Sequence, residues 1–240
     1  KRAATVISFH ALGWLAGIAA AGITNDLKLI FLISAASFVI GFLFTIKLPN
    51  PIQEKELTPG TTKTVILKNK FLFLSLLLRH IGAAAVWTIL PIMIVEKLGG
   101  ELYHISIVYV ANTMAAFILM NVMASKIHLS NITKFKIGVG CTTFVFIGLS
   151  VITEWWMAMP FMALVGATWA FLFIGGNFHL MENNPRSTST GIFSSTLSIA
   201  TVIGPIIAGS IAFLFDYVAV MYFAVAIIIV AFVVSLKIKK

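Results

Sequence analysis

FLFLSLLLRHIGAAAVWTILPIMIV, Phe71 to Val95, contains only two ionisable side chains, Arg79 and His80. About 20 apolar residues suffice to cross the hydrocarbon core of a bilayer as a helix. The stretch therefore predicts a membrane span with a charge inside it. Hydrocarbon cannot solvate an ion, and a central Arg costs roughly 2.5–3.5 kcal/mol on insertion scales. A polar cavity or a partner within a helix bundle is the usual offset.

The rest of the chain fits that reading. Its 240 residues (26.1 kDa) are 60% hydrophobic and 10% charged, with a mean hydropathy of +1.03. Soluble domains carry roughly 25% charged residues, so the composition predicts an all-α, polytopic transmembrane helix bundle. The net charge of +9 does not imply nucleic acid, because the charges lie in short gaps between apolar runs. Enzyme signatures are missing: there is no H-E-x-x-H, no G-x-S-x-G, no P-loop and no D-x-x-x-D pair. No cofactor is implied. The single cysteine, Cys141, lies inside a span and offers neither a disulfide nor a metal cluster; it reads as a small packing residue.

Eight spans are expected: roughly 3–23, 27–46, 71–95, 103–125, 135–152, 157–180, 188–213 and 217–236. The long gap from Lys47 to Lys70 contains Pro49, Pro51 and Pro59-Gly60 and alternates acidic with basic residues. It reads as a polar connector between two membrane units. Orientation follows from Lys and Arg placement. If Lys1 and Arg2 are cytoplasmic and the sides alternate, 14 basic residues fall inside, two (Lys28 and Lys97) fall outside, and Arg79 lies within the membrane. Both ends and the connector are then expected in the cytoplasm of a multi-pass cell-membrane protein. The sequon at Asn131 falls on that side, where glycosylation is not expected.

An internal repeat orders these spans. Gly13-x-x-x-Gly17-Ile18-x-x-Ala21-Gly22 in the first matches Ala200-x-x-x-Gly204-Pro205-x-x-Ala208-Gly209 in the seventh, at a constant offset of 187. Small residues four apart make a flat helix face suited to close packing. Asp26 precedes Lys47 by 21 residues, and Asp216 precedes Lys237 by 21. Spans one and two thus register with seven and eight. The separation is six helices, an even number, so the repeat is parallel, as between the halves of one large transporter class. Residues 71–240 form one six-helix unit, residues 47–70 a linker, and residues 1–46 the last two helices of an earlier unit. Four preceding helices are expected before Lys1, which itself directly abuts a span.

With these features the chain resembles the major facilitator superfamily over essentially its whole length. Gly13 to Gly22 is similar to the fifth-helix motif G-x-x-x-G-P-x-x-G-G, with Ile18 at the proline and Ala21 at a glycine. Ala200 to Gly209 echoes it and keeps Pro205. GNFHLMENNPRSTSTG, Gly176 to Gly191, resembles the junction of the tenth and eleventh helices, and Leu90-Pro91 resembles the outer end of the seventh. The loop Ser125 to Lys136 lacks the acid and glycine that the family often has there. The full fifth-helix motif accompanies proton-coupled drug exporters, a subtype from which Ile18 departs.

The resemblance implies that the span holding Arg79 lines a central cavity. At 1.5 Å per residue Arg79 lies roughly 12 Å into a core of about 30 Å. It then contacts an anionic substrate group, or pairs with a carboxylate that protonates during transport. A structural ion pair or a side chain snorkelling to the surface is the alternative. No acidic residue lies at mid-membrane, so an acidic partner would come from the preceding helices. His80 is a proton relay or a buried, hydrogen-bonded residue. Trp87, eight residues from Arg79 and close to its face, walls the cavity or packs. Asn177 is placed to hydrogen-bond substrate. Asn112 lines the cavity or bonds between helices. His179 and Glu182, three apart on one face, gate the site or form a helix-end pair. Gly13, Gly17, Gly22, Gly204, Pro205 and Gly209 serve helix packing. Trp155 and Trp156 read as an interface belt.

The expectation is a secondary active permease that moves a small solute by alternating access, with H⁺ as the coupling ion. Its partners are the solute, the proton, the lipid bilayer and the preceding helices of the same protein. A non-transporting sensor or scaffold, or a truncated inactive relic, is the alternative.

Overall fold

A computed structural model of the chain describes residues 2–24, 26–47, 61–125 and 127–238. Among these the elements are α1 (Arg2–Thr24), α2 (Leu27–Ile46), α3 (Thr61–Lys68), α4 (Lys70–Glu96), α5 (Leu102–Ser125), α6 (Asn131–Leu149), a 3-10 turn (Trp155–Met157), α7 (Ala158–Asn183), α8 (Arg186–Leu214) and α9 (Tyr217–Leu236). The described residues contain no strand. Seven helices, α2 and α4 to α9, are long and apolar enough to cross a membrane, and α1 is apolar from Phe9 to Thr24. The architecture is that of a multi-pass membrane protein. Helices suit this setting because each satisfies its own backbone hydrogen bonds where no water is available.

Two boundaries differ from the sequence reading. The connector is not wholly irregular: α3 occupies its last third, with Val65 buried against the bundle. Pro49, Pro51 and Pro59-Gly60 lie outside the described residues. α6 begins at Asn131, four residues before the expected start, because Ser130 caps it and accepts from the Thr133 amide at 3.3 Å. Hydropathy alone misses that first turn, which ends on Lys134.

The matched acid and base positions share a structural role. Asp26 and Asp216 are the N-caps of α2 and α9, accepting from the Lys28 and Ala219 amides at 2.9 and 2.7 Å. Lys47 and Lys237 are the C-caps of the same two helices, each 20 residues long. An acid at the N-terminus and a base at the C-terminus both complement the helix dipole. At the end of α4 the chain turns through Gly99, whose φ of +65° disfavours a Cβ.

Among the described helices α4 sits between α8 and α9, α9 also packs on α6, α6 on α7, and α7 on α5; α1 lies along α5. Glycines set the closest approaches. A Cβ on Gly204 of α8 would come within 2.7 Å of both the Ala84 Cβ and the Ile81 carbonyl oxygen of α4. On Gly138 of α6 it would come within 2.8 Å of Leu172 Cβ, and on Gly166 of α7 it would meet the Asn112 backbone. The small-residue motif itself divides. Gly22 abuts Ser106 of α5 and Gly204 abuts α4, with Pro205 beside it in α8, whereas Gly13, Gly17 and Gly209 face open space. Equivalent positions in the repeat therefore lack equivalent neighbours, and for those three glycines the described residues show no packing contact. Cys141 is likewise exposed on the α6–α7 surface instead of packed inside.

Gly204→Val is expected to lower stability by about 1–3 kcal/mol through overpacking against α4. Gly209→Val is expected to stay within about 0.5 kcal/mol. Thermal unfolding of the two variants in detergent, followed by tryptophan fluorescence, compares them directly.

Candidate functional site

Apolar packing forms three clusters: one of Ala11, Ala116, Met120, Ala170 and Ile174 joins α1, α5 and α7, and two lie along α4, α6 and α7. One of these two contains Ala83, Val86 and Leu90 of α4, Val145 and Leu149 of α6, and Met162 and Val165 of α7. The other contains Leu72 and Leu76 of α4, Phe135 and Val139 of α6, and Leu172 of α7. Between them each of the three helices contributes a polar turn: Arg79 and His80 from α4, Thr142 and Thr143 from α6, and Thr168 with Trp169 from α7. All but Trp169 are buried, and Trp169 is half-buried.

Arg79 is 0% exposed. Its Nε and Nη2 donate to Thr142 Oγ1 at 3.4 and 3.3 Å, and that hydroxyl donates onward to the Gly138 carbonyl at 2.6 Å. The guanidinium lies over the Trp169 ring, 5.6 Å from its centroid, in cation–π contact. This excludes snorkelling, since the charged head is held inside the bundle. Nη1 is buried without a hydrogen-bond partner. The described carboxylates, Asp26, Glu96, Glu101, Glu154, Glu182 and Asp216, all lie at helix ends or in loops.

His80 stacks on the other neighbour of the guanidinium. Its ring lies 5.4 Å from Trp169 and 6.1 Å from Trp87, and its Nδ1 is buried and unpaired. Trp87 follows His80 by seven residues, two helical turns, and so shares its face; Arg79 meets Trp169 instead. The Trp87 ring packs edge-on to Trp14 of α1 at 5.5 Å, and Trp14 contacts His10 at 6.1 Å. Trp87 Nε1 is a further buried nitrogen with no partner. In the other direction the ring series continues from Trp169 to Phe173 and on to Phe193 of α8. Trp87 also carries a special carbonyl. Pro91, four residues on, has no N–H to bond it, and Tyr109 of α5 donates its hydroxyl there at 3.0 Å.

The remaining candidates lie apart from this layer. Asn112 Nδ2 donates to the Met162 carbonyl at 3.1 Å, and Asn177 Oδ1 accepts from Thr190 at 3.3 Å. Each therefore bonds across a helix pair. Glu182 accepts from Nδ2 of Asn131, the sequon residue, at 2.6 Å, tying α7 to α6, and the charges of Glu182, Lys136 and Lys68 act on His179. Trp155 stacks on His104 at 3.9 Å, while Trp156 is exposed.

Sequence reading missed Trp14, Thr142 and Trp169. Trp169 did give a signal, since a tryptophan in the middle of a span is not placed as a belt residue. Thr142 gave none: only the fold brings α6 to Arg79.

Thr142→Val removes the acceptor for two guanidinium donors. It is expected to cost about 1–3 kcal/mol, and Thr142→Ser, which keeps the oxygen, clearly less. The apparent Tm of the two variants in detergent measures the difference.

Compared with known families and with curated proteins, the chain matches no family model and no curated sequence.

Proposed function

We propose that the chain is part of a secondary active transporter of the major-facilitator kind, moving a small solute across the cell membrane by alternating access. The observation that carries this reading is Arg79, a charge buried at mid-span with Nη1 unpaired. Ionisable residues inside membrane spans mark substrate or ion pathways, and in transporters built from repeats the site lies near the midplane, at the repeat interface. The rings beside Arg79 reach from α4 to Trp14 of α1, a helix of the earlier unit.

The repeat is supported by the like-capped α2 and α9. It is also supported by a groove of about 830 Å³ between α1 and α2, floored by Gly13, Gly17 and Ala21. In the second unit the equivalent seat, between α8 and α9, is filled by α4. We place the first helix of the earlier unit in the α1–α2 groove. Coupling to H⁺ is part of the proposal. Among the titratable groups of the described spans we assign it to His80 in the polar layer, with His10 of α1 beside Trp14 and His179 with Glu182 at the end of α7 as further candidates.

Uptake into proteoliposomes by the complete protein is expected to fall at least tenfold in Arg79→Gln, with expression and gel-filtration profile retained. Unchanged uptake would remove Arg79 from the site. Coding sequence upstream of Lys1 is expected to specify four further apolar spans in frame; a start codon with none would favour a sensor, scaffold or relic. For orientation, Lys97→Cys in a Cys141→Ser background is expected to react with an impermeant thiol reagent on intact cells. Lys63→Cys is expected to react only after permeabilisation.

A further inference from the structure

Three buried nitrogens near the polar layer have no partner: Arg79 Nη1, His80 Nδ1 and Trp87 Nε1. Two are fixed donors, and an imidazole nitrogen donates or accepts according to its tautomer. An unmade buried hydrogen bond is costly, and a charged donor without an acceptor is the most costly kind. Of the layer's hydroxyls Thr143 Oγ1 is itself buried without a partner, and the others are engaged. Thr142 Oγ1 already accepts twice from Arg79 and gives its own proton to Gly138, and Tyr109 is spent on the Trp87 carbonyl. The described carboxylates stand at helix ends or in loops. The layer thus offers more unpaired donors than acceptors, and one fixed positive charge.

That chemistry selects against two solute classes. A cation would meet the guanidinium with no carboxylate at mid-span among the described residues to balance it. A sugar needs an acceptor for each of several hydroxyls, and the unpaired groups here supply at most two, His80 Nδ1 and Thr143 Oγ1. The wall around the donors consists of π faces: Trp169 under both the guanidinium and the imidazole, Trp87 edge-on to His80, and Trp14, 47% exposed, edge-on to Trp87. Flat rings favour offset or edge contacts with other flat rings, and an oxyanion takes paired donors from a guanidinium fork.

We infer that the solute is a small organic anion with a carboxylate-like group on a flat aromatic body, the charge bound by Arg79 Nη1 and the ring taken up among Trp14, Trp87 and Trp169. The inference rests on the transport reading, and deepens it by naming the substrate class of the same site. Trp169 and Trp87 are specificity residues for the aromatic body; Thr142 is a positioning residue that holds the guanidinium.

The test is calorimetric titration of the complete protein in lipid nanodiscs. The probes are benzoate and 3-phenylpropionate, with benzamide (ring without charge) and cyclohexanecarboxylate (charge without ring) as controls. Saturable binding of an aromatic carboxylate is expected, with both controls at least tenfold weaker. Arg79→Gln is expected to weaken binding by about ten- to a hundredfold. Trp169→Leu is expected to weaken it about two- to tenfold for the aromatic acids and clearly less for cyclohexanecarboxylate, which loses only the support the ring gives the guanidinium. If Arg79→Gln fails to fold, Trp169→Leu and Arg79→Lys carry the comparison, Arg79→Lys keeping preference for the acid over the amide. No saturable binding up to about 10 mM, or equal binding of benzamide, overturns the inference. Counterflow in proteoliposomes separates it from the reading beneath it. Aromatic acids that bind without crossing leave the ligand class standing and sink transport. Arg79-dependent transport of a neutral or aliphatic solute leaves transport standing and sinks the class.

Discussion

A guanidinium kept out of both water and lipid is the constraint around which this bundle is organised. Arg79 cannot be solvated where it lies, so α4, α6 and α7 must each bring it something: their own polar turn, the Thr142 hydroxyl and the Trp169 face. Those contributions interrupt the apolar packing along α4, α6 and α7 and leave one cluster on either side, with a third beside Trp169 joining α7 to α5 and α1. A charge in a low-dielectric interior is not stabilising in itself, because desolvation competes with every contact made. Holding it with one nitrogen unsatisfied is costly for stability, and that cost is what the transport proposal accounts for.

Holding three helices to a common polar layer requires that they approach closely, and lipid supplies no hydrophobic force to drive them together. Glycine supplies the geometry. Gly138 lets α7 press on α6, Gly166 lets α7 press on α5, and Gly204 lets α8 press on α4. With backbones this near, short side chains suffice to bond between helices, as Ser75 does to the Ala231 carbonyl at 2.8 Å and Asn112 to Met162. The polar layer and the glycine contacts thus act together: the first needs the precision that the second provides.

Much of this was legible in the sequence, for identifiable reasons. Apolar runs of span length announce themselves, and the ends of α2 and α9 were marked by Asp26, Lys47, Asp216 and Lys237, whose capping chemistry is local. Arg79 and His80 stood out because a charge in an apolar run is costly and must be offset by something. What stayed hidden depends on three-dimensional neighbours. Thr142 and Trp169 lie 63 and 90 residues beyond Arg79, and no spacing rule connects them. The glycine motif was visible, but which glycines touch another helix depends on the helices around them. α3 was obscured by the prolines and charges before it, and the first turn of α6 by Lys134.

Pro91 has a mechanical meaning. A proline inside a helix releases the carbonyl four residues earlier, and an unsatisfied carbonyl in hydrocarbon would penalise any bend there. In this bundle the penalty is already cancelled, because Tyr109 of the neighbouring helix holds the Trp87 carbonyl. α4 therefore has a joint that can flex without breaking a hydrogen bond of its own. The residue at that joint is gripped twice, by α5 through its backbone and by α1 through its ring. Since α1 itself lies along α5, tilting that pair levers Trp87, and with it the wall beside His80.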